Sequence, residues 1–141
     1  MNYTRLALAA VVATVVDLIY GFVVYGTALA SYFATVPGVF RPMDGVIARM
    51  PMLIGGTLLG MLAAAYIFAK GSEGRSGVQE GLRFGVVVAI FSAGYFSIAN
   101  SAVMNFGLRL ALVMSLAGLG EWIVVGIALG ATYGSSAAAK A

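Results

Sequence analysis

The sequence predicts an all-α integral membrane protein, a bundle of four transmembrane helices in a single membrane domain spanning 1–141. Three observations carry this. Hydrophobic residues make up 62% of the chain and charged residues only 9%, whereas a soluble domain is about half apolar and about one quarter charged. That little charge does not cover a globular surface, and disorder requires the opposite composition. Finally, the apolar runs are long. Met50 to Ala69 and Phe84 to Leu108 carry no charge, Leu6 to Phe40 carries only Asp17, and Leu110 to Ala139 only Glu121. A helical crossing needs about 20 apolar residues. Barrel strands are about 10 residues long and alternate strictly, which these runs do not.

The first helix is expected over 5–30. Arg5 followed by Leu6 to Val16 has the form of a signal peptide, with Ala28-Leu29-Ala30 as its cleavage site. Asp17 interrupts the run, however, and the apolar stretch is too long for a cleaved signal, so it reads as a retained span. A long link, about Ser31 to Arg49, follows with Pro37 and Pro42. It is expected in the interface or folded back over the bundle. Asp44 to Met50 reads either as a plain loop or as a short interfacial turn of helix. The second helix is expected over 50–69. Lys70 to Arg83 holds five charges among glycines and serines, the composition of a loop. The third helix is expected over 83–104, a tight turn at Asn105 to Gly107, and the fourth helix over 108–133.

Five Lys or Arg (Arg5, Lys70, Arg75, Arg83, Lys140) fall on one side of this topology and three (Arg41, Arg49, Arg109) on the other. The excess predicts both termini in the cytoplasm of a bacterial-type inner (plasma) membrane. The cytoplasmic loop is then short and the first extracytoplasmic loop longer. Tyr3, Tyr32, Phe33, Phe40, Phe106 and Tyr133 fall near span ends, as an aromatic belt does.

The chain has no Cys and no His. Thiol catalysis, disulfides and Cys/His metal sites are excluded. Gly71 to Gly77 lacks the Gly-Lys-Ser/Thr ending of a phosphate loop. No enzyme, cofactor or metal is expected. The net charge of +3 is spread singly over span ends and does not indicate nucleic acid. Expected partners are the lipid bilayer and either a second copy in a homodimer or another membrane subunit.

Every charge except two lies in a link or at a predicted helix end. The exceptions, Asp17 and Glu121, fall near the middle of the first and fourth helices. A charge at the bilayer centre costs about 2.5–3.5 kcal/mol on insertion scales, and such residues face the bundle and mark functional sites by default. Positions three, four, seven or eight from Asp17 (Ala10, Ala13, Thr14, Tyr20, Gly21, Val24, Tyr25) form a small or polar stripe. The opposite face, Leu8, Val12, Val15, Ile19 and Phe22, suits lipid. Around Glu121 the stripe is Met114, Ala117, Gly118, Val124, Val125, Ala128 and Thr132. On the third helix Tyr95, Ser97, Asn100 and Ser101 are within reach as hydrogen-bond partners. With no basic residue inside a span, at least one of the two acids is expected to be protonated at neutral pH. The candidate ligand-binding or proton-coupling residues are Asp17, Glu121, Tyr20, Tyr25, Asn100, Tyr95 and Trp122. A binding role predicts a pocket lined by Asp17, Tyr20, Asn100 and Glu121.

Gly118, Gly126, Gly130 and Gly134 recur at multiples of four on the fourth helix, and Gly56 and Gly60 on the second. Small residues at that spacing let helices approach closely in lipid. The second-helix pair reads as internal packing. The fourth-helix face is open to either internal packing or a second copy.

The outline is similar to that of the small multidrug resistance transporters: a short chain, four helices and an acid in the first, with Asp17 in the place of that family's glutamate. The sequence departs from the pattern in Glu121, in its long first link and in its greater length, so no substrate or mechanism is carried over. Two functions are expected to compete: binding or transport of a small amphipathic or cationic ligand, possibly proton-coupled, at the acid pair, and a non-catalytic accessory role in a larger membrane complex.

Overall fold

A computed structural model describes residues 1–73 and 76–134. Arg75 and Lys140, which bear on orientation, and the tail from Ser135 lie outside the described residues. The described chain is all-helical, and four of its helices are long and apolar enough to cross a membrane: Tyr3–Ala28, Met50–Gly71, Gly77–Ala99 and Leu108–Tyr133.

The first span is α1, Tyr3–Val23, continued by a π-helical turn, Val24–Ala28. Asn2 caps it by accepting from the Arg5 N–H at 3.1 Å. The link holds two short helices, α2 (Ala30–Ala34) and α3 (Met43–Ile47). Of the two readings of Asp44 to Met50, the short turn of helix is therefore the one found, displaced to start just after Pro42. Next comes α4, Met50–Gly71, with Pro51 in its first turn, where a missing N–H costs nothing.

The third span departs from expectation. It begins at Gly77, not Arg83, as α5 (Gly77–Ser92), and ends in a π-helical segment, Ala93–Ala99, not at Met104. Ser76 is the cap, accepting from Gln79 N at 3.5 Å, and Ser76-x-x-Gln79 has the spacing of a capping box. Glu80, although charged, is 7% exposed. It turns back on the preceding loop, accepting from the Ser72 hydroxyl and, at 2.8 Å, from Glu73 N. The final span is α6, Leu108–Tyr133.

The spans pack in the order α4, α1, α6, α5, with little direct contact between α4 and α6. The core lies at one end, where Leu6, Ala9, Ala10 and Ala13 of α1 meet Met61, Ala64, Ala65 and Phe68 of α4 and Val125 and Leu129 of α6. Phe68 closes this end edge-on against Phe84 and Tyr133. On α1, Ala10, Ala13 and Thr14 are buried, while Leu8, Val15, Ile19 and Phe22 are exposed, as the stripes predict.

The glycine faces are the second correction. Gly126, Gly130 and Gly134 pack inside the chain, against Gly77, Gly81 and Gly85 of α5; a Cβ on any of them would collide with backbone of the facing helix. The fourth-helix face is thus used internally and is not open to a second copy. Gly118 is off this seam. Gly56 and Gly60, expected to pack internally, meet nothing within 4 Å.

Candidate functional site

Beyond the core end, the outer halves of α1, α4 and α6 diverge around a cavity of about 1020 Å³. Asp17 and Glu121 both line it, and their carboxyls lie within hydrogen-bonding reach of each other. The α1–α6 contact brings them together. Both sit on the inward stripe of their helix, and the two helices pack along much of their length.

Two tyrosines of α1 reach α6. The Tyr25 hydroxyl donates to Glu121 Oε2 at 2.7 Å, and the Tyr20 hydroxyl donates to the Ala117 carbonyl at 2.8 Å. Gly120 makes room for Tyr20, whose hydroxyl would collide with a Cβ there. Tyr25 lies in the π-helical turn, and such turns are frequent at functional sites. The two rings meet edge-on at 6.2 Å. From Tyr25 the aromatic contacts continue into the link, to Phe33 at 6.4 Å and from Phe33 to Phe40 at 4.1 Å.

The link folds over the outer end of the cavity: Phe33, Pro37, Phe40 and Val46 are on the lining. Arg109, at the start of α6, lies 5.6 Å from the Tyr32 ring and ties the link to α6 through a cation–π contact. The remaining wall is apolar, chiefly Leu18, Phe22, Leu53, Ile54 and Met114. A large apolar space with a few converging polar groups is what small-molecule sites share. Carboxyl oxygens at its floor suit a cation or a hydrogen-bond donor.

The structure separates the other expected residues from this site. Tyr20 contacts the region but is not on the lining, and neither is Asn100. Asn100 Nδ2 instead donates to the carbonyls of Tyr95 (3.3 Å) and Phe96 (3.0 Å), groups that the π-helical segment displaces from the regular ladder. Tyr95 faces outward, 62% exposed, stacked on Phe91. Trp122 packs against the core, with its carbonyl facing Gly85. The pocket expected from Asp17, Tyr20, Asn100 and Glu121 is thus found with only its two acids. Phe33 and Phe40, assigned to the headgroup belt, are cavity residues, and so are Arg41 and Thr57. For Phe33, Phe40 and Arg41 the only sequence signal is the length of the link, which gives it the reach to fold back.

No protein-family model, curated protein or solved structure matches the chain.

Proposed function

We propose that this chain is a multi-pass protein of a bacterial-type inner membrane, with both termini cytoplasmic, that binds and carries a small amphipathic or cationic molecule at the Asp17–Glu121 pair, in exchange with protons. One observation carries the reading: acids from two different helices meet at the floor of a cavity large enough for a small organic ligand. Buried acids that served packing alone would need no such space. The aromatic faces of Tyr25, Phe33 and Phe40 favour a cationic head. The proposed role is non-catalytic.

The test is binding of a lipophilic amine, octyldimethylamine, to the protein in lipid nanodiscs. Asp17→Asn and Glu121→Gln should each weaken binding at least tenfold and flatten its pH dependence. Wild-type affinity and pH response in both variants would end the proposal.

A second reading, a non-catalytic accessory subunit of a larger membrane complex, has its own observation. A Cβ on Gly55, Gly56 or Gly60 of α4 would meet nothing within 4 Å, and small-residue faces pack helices in lipid. Co-purification of a stoichiometric partner lost on Gly56→Leu, with no amine binding, would favour it.

A further inference from the structure

The cavity opens unevenly. Phe22 of α1 and Leu53 and Ile54 of α4 line it, and they are 69%, 46% and 43% exposed. The opening follows from where the two helices pack. The buried residues of α1 end at Thr14 and those of α4 begin at Met61, so past that level no fully buried side chain of either helix joins the two. This gap is in the side wall, where a crossing helix meets hydrocarbon. The outer end, by contrast, is covered by the link, and its Arg41 is the one cation among the described residues of the lining. A cation arriving from water would have to pass that guanidinium, and an apolar molecule arriving from lipid would not.

We infer that the cavity is filled sideways from the bilayer, through a portal between α1 and α4 framed by Phe22, Leu53 and Ile54, and that its ligand is a lipophilic amine that dissolves in the membrane before it binds. The inference rests on the carboxyl-pair reading above and adds the route and the ligand's chemistry. An amine with an apolar tail meets each part of the wall with a matching group. Its nitrogen reaches Asp17 and Glu121, its head lies against the Tyr25 ring, and its tail lies along the apolar side of the portal. A molecule already concentrated in the membrane also needs no aqueous passage beneath the link.

The experiment follows octyldimethylamine binding kinetics with the protein in lipid nanodiscs. Ile54→Trp fills the portal and should slow association and dissociation together, by tenfold or more, with little change in Kd. Ile54→Ala widens it and should speed both several-fold. This smaller variant keeps the test decisive if the tryptophan disturbs folding. Val39→Trp, in the link but off the cavity lining, should leave the rates unchanged. Rates indifferent to both Ile54 variants, or slowed by Val39→Trp instead, would overturn the lateral route while leaving the site intact. Wild-type affinity in Asp17→Asn and Glu121→Gln would instead remove the site itself.

Discussion

Tyr25 holds Glu121: its hydroxyl donates to Glu121 Oε2 at 2.7 Å, joining the π-helical end of the first span to the middle of the last. The same bond occupies a carboxyl oxygen that a ligand would use. Tyr25→Phe removes the donor and keeps the ring, and so separates the two roles. Interhelical hydrogen bonds in membranes average about 0.6 kcal/mol, so unfolding in mixed micelles should shift by about 1 kcal/mol or less. Amine affinity, freed from a competing donor, should hold or rise. A large loss of affinity with unchanged stability would instead make the hydroxyl a direct ligand contact.

Gly81 and Gly126 face each other across the α5–α6 seam, where a Cβ on either would meet the other's carbonyl oxygen. Backbone, unlike a flexible side chain, cannot move aside cheaply. Overpacking typically costs about 1–3 kcal/mol and occasionally more, so Gly126→Leu should lie at or beyond the upper end of that range. Gly56→Leu, on the open face of α4, should leave the isolated chain's stability nearly unchanged. Melting both variants in one detergent checks this. Equal losses would place Gly56 in a contact that the single chain does not make.

Much of this architecture is written in the sequence because lipid imposes one simple rule, long apolar runs broken by charge. That rule gives Leu108–Tyr133 at both ends and Met50–Gly71 to within two residues. It fails at α5 because Glu80 and Arg83 look like loop residues. The capping pattern at Ser76 is the better guide there, since capping groups act locally while charge marks only where water can reach. The inward direction of Asp17 and Glu121 is legible from the small residues around them. The π-helical turns are not, since they change backbone register without changing composition. Fold-back of the link is one of its two expected placements, but the cavity role of Phe33 and Phe40 is not legible, because an aromatic near a span end suits a headgroup belt and a cavity wall equally well.

The loop joining α4 to α5 is held by Glu80, 7% exposed, which accepts from both Ser72 and Glu73. The neighbouring Arg83–Glu73 pair at 3.5 Å is 59% exposed on both sides and contributes little. Glu80→Ala removes the acceptor shared by the part-buried donors of Ser72 and Glu73, at about 1.5–3 kcal/mol for bonds to a charged group, whereas Arg83→Gln should cost under about 1 kcal/mol. Limited proteolysis of the 70–77 stretch reads this directly. Cleavage should accelerate in Glu80→Ala and not in Arg83→Gln, and the reverse order would assign the anchoring to the surface pair.

Asp17 and Glu121 lie within hydrogen-bonding reach of each other, and neither forms an ion pair among the described residues. An ionised carboxylate only accepts, so a hydrogen bond between the two requires a proton on one of them. With both groups half-buried and neither in an ion pair among the described residues, the pair should hold one proton at neutral pH. Infrared difference spectra should then show a carboxylic C=O band that shifts in deuterated water and is altered in both Asp17→Asn and Glu121→Gln. At a pH of about 6, free Asp and Glu, which titrate near about 4, are ionised and give no such band. A spectrum at that pH with two carboxylates and no C=O band would mean that the acids are separated and hydrated, and would remove the shared proton on which exchange depends.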